Sequence, residues 1–301
     1  MRSLICMLAA AAIFASAALA QSEAGRSPAQ IAASVRPNIN YAALSKLGWQ
    51  LSCQAYTFRE MSLFETIDVL NALGIRYIEL FPGQRFSPTN PAGFSHDSSP
   101  EMVNELMAKL KSANVKPVAY GVVGLGNDEA AARKVFDFAK KLGITTITSE
   151  PPEDAMPMLD KLCQEYKINI AIHNHPRPSH YWSPDTVLKA VAGTSKRIGA
   201  CADTGHWYRS NLVPLDCIKE LKGRIVSLHF KDLNSNKEDV PWGTGVCNTN
   251  GMLNELKAQG FKGPFSIEYE RTSGAELISN VAKCCAYFSE AATKLAAGKK
   301  L

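Results

Sequence analysis

The sequence predicts a single-domain α/β protein built as a (β/α)8 TIM barrel over residues 46–298, and three observations carry that prediction. Short β-rich runs begin near Trp49, Tyr77, Lys116, Thr145, Asn169, Ile198, Ile225 and Phe265. The stretches between them have helical periodicity, so strand and helix alternate along the chain. Cap and turn residues mark the same boundaries independently of hydropathy. Such a series closes into a barrel or lies open as a doubly wound sheet. A dinucleotide-binding open sheet places a glycine-rich turn directly after its first strand. Here Gln54-Ala55-Tyr56-Thr57-Phe58 contains no glycine, which favours the barrel.

Taken in order, the chain opens with one cation, Arg2, an apolar run from Leu4 to Ala15 and the small-residue site Ala18-Leu19-Ala20. This is the pattern of a secretory signal peptide over residues 1–20, and its apolar run is too short to span a bilayer unaided. Export to a periplasm or the extracellular space is expected, with no membrane span after cleavage. Residues 21–45, rich in Ala, Ser, Pro and Asn, read as a linker or a loosely docked N-terminal arm. Beyond them, Ser62-x-x-Glu65 is a capping box, while Ser99-Pro100 and Ser183-Pro184 each place a capping hydroxyl before a first-turn proline. Gly74, Gly143 and Gly260 stand where a helix ends in a left-handed residue before the next strand.

Composition bounds the function classes. With 301 residues, 46% hydrophobic and 20% charged, the chain has material for one large core, which excludes disorder, collagen and coiled coil. The net charge of +5 is too diffuse to advertise a nucleic-acid or membrane-surface partner. Cys6 lies in the leader, and the other seven cysteines show no C-x-x-C spacing, so neither a zinc knuckle nor a redox dithiol is indicated.

In a parallel barrel the functional groups come from the C-terminal ends of the strands. The fourth strand ends at Glu150, the fifth at His173-Asn174-His175, and the sixth at Asp203-Thr204-Gly205-His206. The seventh ends at His229-Phe230-Lys231-Asp232 and the eighth at Glu268-Tyr269-Glu270. Strand alternation places His173 with His175, His229 with Lys231, and Glu268 with Glu270, each pair on one face. If that face is the lumen, Glu150, His173, Asp203, His229 and Glu268 form a site for one divalent metal ion. Mixed carboxylate and imidazole donors suit Mn, Zn, Co or Fe better than calcium. Each residue also has an ordinary reading: Glu150 as a helix cap, Asp203 as a turn residue, Asp232 as a loop acid, Lys231 as a solvated loop lysine. Their conjunction at consecutive strand ends is what favours the metal site.

At these residues the chain resembles the xylose isomerase-like TIM-barrel superfamily, which includes sugar-phosphate isomerases and epimerases, inosose isomerases and dehydratases, and repair nucleases of the endonuclease IV type. The motifs that carry the resemblance are Ala202-Asp203-Thr204-Gly205-His206, Leu228-His229-Phe230-Lys231-Asp232 and Ile267-Glu268-Tyr269-Glu270. The resemblance implies that Asp203, His229 and Glu268 ligate a metal and that His206 contacts substrate. The chain departs from it on the fifth strand, where many epimerases place a ligand glutamate and this sequence has His173-Asn174-His175.

The expected activity is that of an exported, metal-dependent isomerase or epimerase acting on an unphosphorylated sugar or keto-sugar by α-proton abstraction through an enediolate. Glu150 and Glu268 are both open as the base, with His175, His206 and Lys231 orienting hydroxyls or carrying the proton. Tyr56, Trp182 and Trp207, with Trp49 and Phe81, are candidate apolar faces for a sugar ring. A lyase or dehydratase of keto-sugars, inososes or keto-glycosides is the alternative on the same site, and a non-catalytic carbohydrate-binding protein is a more distant one. A nucleic-acid partner is not expected, because strands two and three end without the extra histidines that a three-zinc nuclease requires. A homo-oligomer is compatible with the sequence.

Overall fold

The computed structural model describes residues 25–301, so the signal peptide expected over residues 1–20 lies outside the described residues. The eight barrel strands are β1 (Trp49–Gln54), β2 (Tyr77–Leu80), β3 (Lys116–Tyr120), β4 (Thr146–Ser149), β5 (Asn169–His173), β6 (Ile198–Asp203), β7 (Ile225–Phe230) and β8 (Gly263–Ile267). Each pairs in parallel with its sequence neighbours, and β1 pairs with β8, so the sheet closes into a single (β/α)8 barrel. Two short ribbons, Gln84–Arg85 with Gly93–Phe94 and Asp232–Leu233 with Asp239–Val240, decorate the loops at the C-terminal mouth.

The helix punctuation acts largely as its chemistry dictates. Ser62 and Glu65 form a reciprocal capping box ahead of Leu63–Leu73, which ends at Gly74 with φ 81°. Ser99 caps Pro100–Ser112, and Gly143, at φ 71°, ends Glu129–Leu142. Ser183 differs. It precedes the helix Pro184–Ala190 but makes no side-chain cap bond, because its hydroxyl is engaged with Thr186 Oγ1 at 3.3 Å.

The N-terminal arm is not a linker or a loose attachment. Residues 28–34 and 41–47 form two helices, the first started by a Ser27–Gln30 capping box and the second by Asn40. Ala32, Ala43 and Leu44 are buried, and the arm is bonded to the last helix through Asn40 N–H to Ser289 Oγ at 2.8 Å. A composition that reads as flexible is thus ordered by a few small apolar contacts and two caps, which hydropathy alone does not reveal.

The core lies between the barrel and its helices and continues at the N-terminal end of β1. There Trp49 packs on Phe265 and Phe288 with ring centroids 4.8 and 5.6 Å apart, and its indole N–H donates to the Phe261 carbonyl at 3.1 Å. All seven cysteines among the described residues are buried and unpaired, and burial pushes the Cys163, Cys217, Cys247 and Cys284 thiols up to about 12. Among the described residues no helix is long and apolar enough to cross a membrane.

Candidate metal centre and active site

Barrel register brings the strand-end residues together. Asp203 pairs with His229, His229 pairs with Ser266, and His173 pairs with Cys201. Because side chains alternate, Lys231 and Glu268 then enter the lumen one step above His229 and Ser266. One donor atom from each of His173, Asp203, His206 and Glu268 lies within 4.8 Å of the others. His229 adjoins them, with Nδ1 3.1 Å from Glu268 Oε2.

These donors suit a cation. His173 Nε2 and both ring nitrogens of His229 are buried and make no hydrogen bond, and Asp203 Oδ2, buried with them, has among the described residues an ion pair to Lys231 Nζ at 3.0 Å as its only close charge partner of opposite sign besides the imidazoles, although buried polar atoms are normally satisfied. His173 Nε2 and His206 Nε2 each stand 3.6 Å from Asp203 Oδ2, which leaves these atoms facing one another. An ion held by imidazole and carboxylate would satisfy them together.

Lys231, which the sequence offers either as a solvated loop lysine or as a group that orients substrate hydroxyls or carries the proton, is buried among carboxylates. The chain beyond β7 turns its side chain inward, leaving the residue 1% exposed, and Nζ lies 3.0 Å from Asp203, 2.8 Å from Glu268 and 2.5 Å from Glu270. Burial alone would neutralise all of these groups. The mutual attraction prevails, holding Asp203 and Glu268 well below the carboxylate range and Lys231 well above the ordinary ammonium value.

A second cluster adjoins the first. Glu150 accepts from His175 Nδ1 and from Ser179 Oγ at 3.2 Å, and its Oε1 is 3.5 Å from His173 Nδ1. Burial pushes the Glu150 carboxyl up, but the two imidazoles outweigh it and hold it at about 2. Burial pushes His173 down, yet Asp203 and Glu150 on either side raise it to about 9. His206 goes the other way, to about 2, since burial dominates and Lys231 reinforces it against Asp203.

Glu79 is the residue that sequence reasoning missed. It is fully buried in β2, accepts from Thr148 Oγ1 at 2.6 Å and Ser266 Oγ at 2.7 Å, and lies 3.1 Å from His229 Nε2. The available signal was an acid interrupting the apolar run Tyr77-Ile78-Glu79-Leu80. A buried carboxylate is costly unless paired, and here its partner is a proposed ligand.

The imidazole–carboxylate cluster opens on a cavity of about 470 Å³, lined on its polar side by His173, His175, His206, Glu268 and Glu270 and on its apolar side by Tyr56 and Phe81. Tyr56 is therefore placed in the cavity wall, packed edge-on against Phe81 at 5.4 Å. Two other aromatics are not. Trp207 is 1% exposed and buried in the core, because the helix Thr204–Arg209 turns it away from the face that carries His206. Trp182 lies outside the cavity lining, 3.6 Å beneath the Arg177 guanidinium. Trp49 belongs to the core at the opposite end of the barrel.

A search of curated proteins finds no match. Among solved structures, the chain is similar to an uncharacterised protein of Parabacteroides distasonis, with 34% identity over 78% of this chain and 98% of that one at a TM-score of 0.64. A xylose isomerase-like TIM barrel protein of Mycobacterium smegmatis, solved in complex with magnesium, is 12% identical over 82% of this chain and 97% of that one, with a TM-score of 0.67. D-psicose 3-epimerase of Clostridium cellulolyticum, solved with D-tagatose, is 14% identical over 80% and 98% respectively, with a TM-score of 0.61. Residues 67–288 match the family model for the xylose isomerase-like TIM barrel. With that match spanning most of the chain, and with its strand-end donors gathered at the mouth of a closed eight-stranded barrel, the protein belongs to the xylose isomerase-like TIM barrel family.

Proposed function

We propose that this protein is a metal-dependent isomerase or epimerase of an unphosphorylated polyhydroxy ketone or aldehyde. The observation that carries the reading is one cavity lined by His173, His206 and Glu268 of the buried imidazole–carboxylate cluster and by His175, whose Nδ1 is bonded to Glu150. His173, Asp203, His229 and Glu268 would hold the ion. When bound there, a divalent cation supplies Lewis-acid polarisation of a carbonyl group. Manganese, zinc, cobalt, iron and magnesium are all consistent with mixed oxygen and nitrogen donors.

The chain's own groups supply the rest. Glu150 accepts the Nδ1 proton of His175, leaving Nε2 of that half-exposed ring free to take an α-proton from a substrate in the cavity. The His175–Glu150 pair thus replaces a lone carboxylate as the proposed base. His206 faces the same cavity and orients a substrate oxygen. Lys231 has three N–H groups and three carboxylates around it, so its role is to fix Asp203, Glu268 and Glu270. Tyr56 and Phe81 supply an apolar wall for the sugar's carbon face.

One observation favours a lyase as the second reading. His173 stands on β5 where the resemblance puts a glutamate in many epimerases, and the two carboxylates that line the cavity, Glu268 and Glu270, are both held by Lys231, which leaves His175 as the base. One base suffices to remove an α-proton and expel a β-leaving group. Incubating manganese-loaded protein with a panel of keto-sugars in deuterated water separates the outcomes. Solvent deuterium in a stereoisomer or positional isomer supports isomerase chemistry, and an unsaturated carbonyl product supports the lyase. Absence of α-exchange with every keto-sugar, in protein shown to contain metal, contradicts both. Glu150→Gln should lower the rate about 10²–10⁴-fold, the usual contribution of a positioned base, without loss of metal. We further propose export, from the leader-like residues 1–20, which is also why the substrate is taken to lack phosphate.

A further inference from the structure

We propose that Arg209 is a positioning residue that fixes His206 in its Nε2–H tautomer, so that this ring offers a hydrogen bond to a substrate oxygen and no lone pair to the ion. The use made of the N–H rests on the function proposed above, whereas the tautomer follows from contacts alone. By distance, His206 belongs to the ligand cluster, its Nε2 being 3.6 Å from Asp203 Oδ2. The other side of the ring decides the matter. His206 Nδ1 lies 3.1 Å from a terminal nitrogen of Arg209. A guanidinium carries five N–H donors and no acceptor, and it stays protonated in proteins. Nδ1 must therefore accept. A neutral imidazole has one lone pair and one N–H, so the proton resides on Nε2, the nitrogen nearer Asp203 and the ligand cluster.

The lock is itself held in place. Arg209 lies three residues after His206 on the same short helix, and that helix is started by His206 N–H donating to Asp203 Oδ1 at 2.7 Å. A second arm of the guanidinium donates to Asp239 Oδ2 at 3.0 Å, and its Nε donates to the Lys237 carbonyl at 3.4 Å. Asp239, 3% exposed, stands on the ribbon that follows β7. The ribbon therefore aims the guanidinium, and the guanidinium sets the ring.

His229 shows the opposite arrangement. There the outer partner is a carboxylate, Glu79, 3.1 Å from Nε2, and the inner nitrogen, Nδ1, stands 3.1 Å from Glu268. The two rings thus differ in what stands behind them, a carboxylate at His229 and a guanidinium at His206. The His206 donor can stabilise negative charge developing on a substrate oxygen without itself transferring a proton.

The test is nitrogen-detected NMR of the histidine side chains in the full chain, metal-free and loaded with zinc alone, with the His206 signals assigned from His206→Gln. The expected result is a protonated Nε2 and an unprotonated Nδ1 in both states. Arg209→Met should lose the single tautomer, while Arg209→Lys, which keeps a donor, should retain it. A proton on Nδ1 in the wild type, loss of the Nε2 proton on adding zinc, or an unchanged pure tautomer in Arg209→Met would each overturn the proposal. The wild-type and lysine spectra decide the matter even if the methionine variant fails to fold. Turnover is not read here, so the predicted tautomer in a protein inert toward keto-sugars would contradict the proposed activity and leave this assignment standing.

Discussion

Replacing Lys231 with methionine keeps most of the side-chain volume and removes the ammonium that stands 2.8 Å from Glu268 and 3.0 Å from Asp203. Both acids are buried, so neither can turn to bulk water for compensation, whereas Glu270 is 30% exposed and can. The cost should therefore be that of breaking a buried pair, about 3–5 kcal/mol. Urea unfolding followed by circular dichroism, first with chelator and then with excess manganese, measures it. The chelated variant should be destabilised by that amount, and manganese should narrow the gap because binding to the folded state alone stabilises it. The pH dependence follows from the lowered carboxyls. Groups held below their unfolded values contribute stability above about pH 4, and that contribution fades as pH falls through the folded value. Wild type and variant should thus converge in acid. A chelated difference of under about 1 kcal/mol at pH 7, the worth of an exposed pair, would refute the electrostatic account of the site.

Three further outcomes are expected. Glu79→Gln should weaken manganese binding about 10–100-fold by calorimetry, as loss of an outer carboxylate behind a ligating histidine does; unchanged affinity would separate Glu79 from the metal. Because His173 is raised to about 9, it is protonated at neutral pH in the metal-free protein and must lose that proton to ligate. Manganese affinity should therefore rise with pH up to about 9, and binding at pH 7 should release protons, detectable as a buffer-dependent binding enthalpy. Leu44→Ala should destabilise by about 2–5 kcal/mol, as for a core leucine, whereas a loosely attached arm would show almost no change in a urea midpoint.

The fold was legible because a parallel barrel repeats one local signal. The strand starts at Trp49, Tyr77, Lys116, Asn169, Ile198 and Ile225 coincide with the β-rich runs. At β8 the run seemed to begin at Phe265, yet the strand begins at Gly263, since Gly263 and Pro264 pair with Trp49 and Gln50 despite being turn-forming types. That His173, Asp203, His229 and Glu268 lie together was legible through strand parity and strand ends, while Glu150, grouped with them as a ligand, stands bonded to His175. What was not legible depends on partners distant in sequence. Lys231 reads as a loop lysine or, by its parity with His229, as a substrate-facing group, and its role as an ion-pair partner shows only when Asp203 and Glu268, from other strands, enclose it. Glu79 becomes a functional candidate only when β2 is seen across the lumen from His229. Trp207 reads as a sugar-facing aromatic, but successive residues on a helix point about 100° apart, and the turn after β6 spends that rotation burying the indole. The N-terminal arm was missed because Ala32, Ala43 and Leu44 carry little periodic signal over seven-residue helices.

The central claim is that His173, Asp203, His229 and Glu268 hold one divalent ion. Its most direct measurement is anomalous X-ray scattering from crystals of the manganese-loaded protein, with metal content determined on the same preparation. One manganese per chain, bonded to those four side chains and absent from Asp203→Asn, is the predicted result. A protein that takes up no manganese, zinc, cobalt, iron or magnesium, or whose ion lies away from Asp203 and Glu268 with the Lys231 ammonium still between them, would contradict it.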